Sequence, residues 1–338
     1  MKIKALDGLR GLASIFVFLT HMRNITSLPI YAPYKFFDAG HEAVILFFVL
    51  SGYVLTYSNE NFKISYKRYV CRRIFRIYPA YYLSIALVIM LFLIIDPHKI
   101  NLYTEWFNCQ FPSINLSITV LIKSLLLILA EDHKINGAAW SLTYEVIISI
   151  LILPILFNNI KLFNNYYVAI VIVTICLVVS KYLQVYYVIP NLFKYFVYFY
   201  MGFLAFYNTK YLKYISTLQF MPLYLVLFAS QFFSYGYIDN IYLTEILAAC
   251  GSIGFIACCI YNQDWIKLLE SQLIQFYGKI SYSFYLFHMP ILYLLVYSFR
   301  NKLNMFEIKI LIFLLTTFIS TLVYKKVEIK FIKLGKHF

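Results

Sequence analysis

Charge is what this sequence has little of. Only 13% of its 338 residues are Asp, Glu, Lys or Arg, against about a quarter in soluble globular domains. Hydrophobic residues make up 62% and aromatics 20%, with a mean hydropathy of +0.75. A soluble chain of this length can bury a core, but not this much apolar surface, so the excess must face lipid. Acidic residues are the scarcer sign: 15 Asp and Glu stand against 29 Lys and Arg, a formal net charge of +14. A nucleic-acid binder gathers its basic residues into a stripe. Here they form short clusters between apolar stretches, which is how loop charge orients a membrane protein, and no nucleic-acid partner is expected.

Other absences narrow the class further. The six cysteines (Cys71, Cys109, Cys176, Cys250, Cys258 and Cys259) show no C-x-x-C or mixed Cys/His spacing. Neither a metal centre nor a disulfide framework is therefore expected, and most of them read as small hydrophobes. There is no low-complexity linker, no separate soluble segment and no clear internal repeat, so residues 1–338 read as one integral membrane domain. The opening Met1-Lys2-Ile3-Lys4 and apolar run resemble a signal peptide. Asp7 and Arg10 interrupt that run and no small-residue cleavage site follows, so an uncleaved first span is expected.

A spanning helix takes about 20 apolar residues. Candidate segments fall near 5–23, 43–58, 78–95, 116–130, 138–157, 166–183, 192–207, 217–235, 241–261, 280–299 and 308–324. The predicted class is all-α, a polytopic transmembrane bundle. Lys2 and Lys4 set a cytoplasmic start, and two crossings return Lys63, Lys67, Arg68, Arg72, Arg73 and Arg76 to that side. The basic tail (Lys325, Lys326, Lys330, Lys333, Lys336) returns there only if one of the eleven does not span. The segment 116–130 carries Lys123 and ends in Glu131-Asp132-His133-Lys134. Read as re-entrant or interfacial, it leaves about ten spans, with Lys161, Lys210, Lys213 and Lys267 in cytoplasmic loops.

Ionisable groups inside a span are costly, and their default reading is functional. On the first helix, Asp7, Arg10, Ser14 and His21 fall within a narrow arc. His21 stands roughly 16 Å along the axis from Arg10. Arg10 suits an anionic group near the cytoplasmic end, and His21 suits a general base deeper in a pocket. The plainer alternative has Arg10 snorkelling to headgroups and His21 capping the span. Arg72 and Arg76, four apart, would share a helical face able to clamp phosphate, besides orienting the protein and meeting anionic lipid. Pro79 fits the first turn of the helix after this basic loop. Ser141 and Glu145 share a face at the same spacing, with Glu145 either paired to a neighbouring helix or catalytic. Tyr282, Tyr285 and His288 form a further polar stripe, while His41, His98, His133 and His337 fall in predicted loops.

Together these segments resemble the membrane-bound acyltransferase 3 family. Leu6-Asp7-Gly8-Leu9-Arg10-Gly11-Leu12-Ala13 with His21 is similar to its opening, and Phe47-Phe48-Val49-Leu50-Ser51-Gly52-Tyr53 to its second-helix motif. Arg72-Arg73-Ile74-Phe75-Arg76-Ile77-Tyr78-Pro79 resembles its basic loop. Trp140-Ser141-Leu142 with Glu145 and Pro154 resembles a third block, and Ser281-Tyr282-Ser283-Phe284-Tyr285-Leu286-Phe287-His288-Met289-Pro290 the C-terminal one. Many members carry an acidic residue just before the paired phenylalanines. This chain has Ile45-Leu46 there, with Glu42 one turn earlier.

The resemblance implies an O-acetyltransferase type without the fused extracytoplasmic hydrolase-like domain of some members, in a bacterial inner (plasma) membrane with both termini cytoplasmic. It would move an acyl group, commonly acetyl, from cytoplasmic acyl-CoA to a hydroxyl of a glycan or lipid-linked sugar. His21, Arg10 and Glu145 would be its catalytic residues, and Arg72, Arg73 and Arg76 would meet the CoA phosphates. Asp7, Glu42, Ser51, Trp140, Ser141, Tyr285 and His288 would contact substrate. A transporter of lipid-linked sugar or small anions, using Arg10, His21 and Glu145 as relay groups, is the competing reading. A scaffold without chemistry is a third.

Overall fold

The computed structural model describes residues 3–26, 39–62, 64–95, 103–110, 116–127, 135–182, 188–230 and 241–337. Among these, all regular structure is helical. We number the principal helices α1 (Lys4–Arg23), α2 (Gly40–Phe62), α3 (Tyr66–Ile94), α4 (Glu105–Asn108), α5 (Ile118–Leu126), α6 (Trp140–Asn158), α7 (Tyr166–Tyr182), α8 (Val188–Tyr207), α9 (Leu218–Phe228), α10 (Ile241–Tyr261), α11 (Gln263–Leu269), α12 (Gln272–Phe299) and α13 (Met305–Leu334). Six of them (α2, α3, α6, α10, α12 and α13) are long and apolar enough to cross a membrane by length and composition. The count of about ten also included α1 and shorter apolar helices such as α7 and α9. In its described part α5 is nine residues long, under half of the roughly 20 a span requires. The acidic end of that segment, 131–134, lies outside the described residues, as do His98 and His133.

Three expectations are corrected. The basic segment is not a loop: α3 begins at Tyr66, so Arg72, Arg73 and Arg76 stand on its early turns. Pro79 lies inside α3 rather than in a first turn, because the apolar span and the basic segment form one continuous helix. His41 is not in a loop either. It sits in the first turn of α2 with a carboxylate partner.

The chain forms two compact units. One comprises Met1–Val17, Pro33–Ile64 and Tyr144–Gly278. Within it α8 packs along α2, α9 along α10, and α10 also against α2. The α2–α8 contact is a backbone approach that only glycine permits. A Cβ on Gly52 would overlap the Phe199 carbonyl, and one on Gly202 the Val49 carbonyl. In the same unit Glu245 of α10 is 1% exposed, and lipid-embedded charge needs partners. Its Oε1 accepts from Lys194 Nζ at 3.0 Å and lies 2.6 Å from His41 Nε2, while its Oε2 accepts from Tyr198 at 2.6 Å. Lys194 also lies over the rings of Tyr195 and Tyr242. One carboxylate thus ties α2, α8 and α10.

The second unit comprises Phe18–Ala32, Ser65–Thr143 and Lys279–Phe338. Two interior prolines shape its helices. Pro290 has no N–H to give the Leu286 carbonyl one turn earlier. Asn136 fills that role: its Nδ2 donates to Leu286 O at 3.0 Å and to Ser84 Oγ at 3.1 Å, and its Oδ1 accepts from Ala138 N at 3.1 Å. A buried amide is thereby used on both its ends, pinning the turn before α6 to α3 and α12. Tyr282 donates from α12 to Ile77 O of α3 at 2.7 Å, and Tyr81 and Tyr78 hold α5 through Ser124 O and Leu126 O. The end of α13 returns to α3, where Glu328 accepts a hydrogen bond from Ser283.

Breaking a buried ion pair on one side leaves the other charge uncompensated, which costs about 3–5 kcal/mol. Glu245→Ala should therefore lower the unfolding midpoint of the detergent-purified protein markedly. Adding Lys194→Met should restore part of the loss.

Candidate active site

His21 occupies the last turn of α1, where a helix leaves carbonyls without intrahelical partners. The chain returns to those carbonyls: Thr104 N donates to Ile25 O at 3.1 Å, and the Thr104 hydroxyl donates to Asn24 O. Two residues later, on the short α4, Trp106 lies against the imidazole of His21. Their ring centroids are 5.2 Å apart and their planes 25° apart, an offset-stacked arrangement.

The other neighbour of His21 is His288, midway along α12 and 1% exposed. His21 Nδ1 and His288 Nε2 are 2.6 Å apart. The ring planes differ by only 16° and their centroids are 4.9 Å apart. That centroid distance is the nitrogen separation plus a ring radius at each end, so the two imidazoles lie edge to edge in nearly one plane. The hydrogen bond runs along that plane. The Phe18 ring meets His288 edge-on at 6.2 Å, and Phe18, Phe284 and Phe313 pack together behind it. Beside His288, at 6.0 Å between centroids, stands the ring of Tyr285, whose hydroxyl bonds Ser141 Oγ at 2.9 Å. Trp140, at the start of α6, remains partly exposed.

This unit also holds the three arginines. At 100° per residue, Arg72 and Arg76 fall about 40° apart on α3, with Arg73 about 60° beyond Arg76. Arg73 is buried, Arg72 intermediate and Arg76 exposed. Glu328, in the π-helical turn Tyr324–Glu328, interacts electrostatically with Arg76. The structure thus brings His21, His288, Ser141 and Tyr285 together in one unit and gives Arg72 and Arg76 a common face.

The remaining expected residues belong to the other unit. Asp7 and Arg10 pair on α1 at 3.4 Å. Glu42 is buried on α2, Ser51 lies about two and a half turns further along it, and Glu145 on α6 is partly exposed. Sequence reasoning missed Trp106, Asn136, Glu328 and the Glu245 cluster. Trp106 and Asn136 stand outside any candidate span and give no periodic signal. Lys194 and Glu245 did give one: opposite charges inside two predicted spans imply pairing. Among the described residues, no group of three His, Cys, Asp or Glu side chains is arranged to hold a metal.

A family model described as an acyltransferase domain, that of acyltransferase family 3, matches residues 3–325. The chain belongs to the acyltransferase 3 family. With its apolar helices, it is a membrane acyltransferase. No curated protein and no solved structure matches it.

The Ser141–Tyr285 bond is an internal, nearly dry contact, for which about 0.5–1.5 kcal/mol is expected. A double-mutant cycle with Ser141→Ala and Tyr285→Phe should return a coupling energy of that size in thermal unfolding. Simple additivity would mean the two hydroxyls do not bond.

Proposed function

We propose that this acyltransferase moves an acetyl group from cytoplasmic acetyl-CoA to a sugar hydroxyl of an exported or lipid-linked glycan, in a bacterial inner membrane. The observation that carries the reading is the setting of His21. The imidazole in the last turn of α1 has one nitrogen engaged by a buried partner and one face covered by Trp106. A polar group costly to bury is held in a fixed pose, which is what a general base requires. No partner contacts His21 Nε2 among the described residues.

In the reaction, His21 Nε2 takes the proton of the acceptor hydroxyl as its oxygen attacks the thioester carbonyl. The C–S bond then breaks and the CoA thiolate leaves, to be protonated from His21 or water. The carbonyl oxygen gathers negative charge on the way and needs a donor, a role suited to the Tyr285 hydroxyl. Arg72 and Arg76, sharing a face of α3, suit the CoA phosphates, since paired guanidinium groups bind phosphate bidentately.

Membranes containing the protein, supplied with radiolabelled acetyl-CoA, should transfer label to glycan. His21→Ala, at equal insertion, should lose that transfer by about 100-fold or more, the range of a lost general base. Undiminished transfer would remove His21 from the chemistry. Arg76→Ala should raise the apparent KM for acetyl-CoA and leave the maximal rate nearly unchanged.

A further inference from the structure

We propose that His288 is a positioning residue which accepts the Nδ1–H of His21 and so holds that imidazole in the tautomer whose Nε2 carries the lone pair. This rests on the reading of His21 as the base, and it gives His288 a different task from contacting substrate.

Two neutral imidazoles sharing one hydrogen bond have two arrangements: either His21 donates from Nδ1, or His288 donates from Nε2. The second nitrogen of His288 decides between them. His288 Nδ1 is buried with no well-formed hydrogen bond, and the ring interacts with the backbone of Phe284 and Tyr285, about one turn back along α12. If His288 donated from Nε2, its Nδ1 would present a lone pair to carbonyl oxygens, a repulsive contact. If Nδ1 carries the hydrogen, it faces those oxygens favourably and Nε2 is left as the acceptor. The shared hydrogen then belongs to His21 Nδ1, and His21 Nε2 is bare.

The surroundings keep this arrangement from relaxing. The bond lies in the plane of both rings, its best geometry, and Trp106 covers the face about which His21 would rotate. Around His288, Phe18 closes one side. Asn136, bonded to Leu286 O two residues earlier, holds the backbone of α12 where Pro290 weakens its ladder. When Nε2 takes the acceptor's proton, His21 becomes an imidazolium, and the Nδ1–H bond to His288 stabilises that charge. No proton passes to His288. It works as the carboxylate of a catalytic triad does, by fixing tautomer and direction.

Two variants and one spectrum test this. In native membranes with radiolabelled acetyl-CoA, His288→Leu should reduce the maximal transfer rate about 100-fold or more, the scale of a wrong tautomer. The KM for acetyl-CoA should be unchanged. His288→Gln, whose amide oxygen can accept the same hydrogen, should recover at least a tenth of the native rate. Nitrogen-15 spectroscopy of the native histidines, assigned by difference against His21→Gln, should find Nδ1 of His21 protonated and Nε2 bare. A native rate in His288→Leu, equal rates in the Leu and Gln variants, or a protonated Nε2 on His21 would overturn the proposal. If neither variant inserts, the spectrum alone decides. Full activity in His21→Ala would instead sink the functional reading itself.

Discussion

The hydrogen bond between His21 and His288 is the constraint around which its unit is organised. Lipid offers no water to satisfy polar groups, so each ionisable side chain on a spanning helix must find a partner inside the protein. The two imidazoles satisfy each other on one edge, and their surroundings are apolar rings. The second edge of His21 lies outside that bond. The other polar ties of the unit support this pair. Thr104 fixes the segment carrying Trp106 to the end of α1, Asn136 secures α12, and Tyr282 secures α12 to α3. Two of them use carbonyls left over elsewhere, at the end of α1 and before Pro290, and the third adds a tyrosine hydroxyl to a carbonyl within α3.

The other unit meets the same demand differently. Its backbone approaches at Gly52 and Gly202 bring α2 and α8 close enough for packing without a hydrophobic driving force. Its charge is concentrated in one carboxylate, Glu245, satisfied from two neighbouring helices. Such a cluster costs desolvation, and its contribution is to fix which helices meet and at what register, as a buried polar residue does in other bundles. The two units thus draw on separate sets of buried polar residues.

Much of this was legible in the sequence, for a physical reason. Lipid demands apolar runs of fixed length, so each of the eleven candidate segments meets a helix in its described part. The same demand makes polar groups in a span conspicuous, which is why His21, His288, Ser141 and Tyr285 each stand out in the sequence, although the Ser141–Tyr285 bond does not. What escaped were residues whose role depends on tertiary placement. Trp106 sits in a connecting segment, and nothing in its neighbours says that Thr104 will return it to α1. The sequence marks His41 as a loop residue because α2 starts before its apolar run does, and Pro79 as a helix start because the basic and apolar stretches differ in composition although one helix runs through both. Glu328 lies among the lysines beyond the last apolar stretch, and only the helical continuation of α13 carries it against Ser283.

The family match fixes the kind of reaction, and the buried imidazole pair gives that reaction a candidate base. The acceptor is where the account commits itself furthest. Mass spectrometry of surface glycans, from cells carrying the native gene and from cells carrying an equally inserted His21→Gln gene, tests it most directly. The account predicts glycan species heavier by whole acetyl groups in the native cells and their absence in the variant. Identical glycan spectra from the two, at equal protein level, would contradict it.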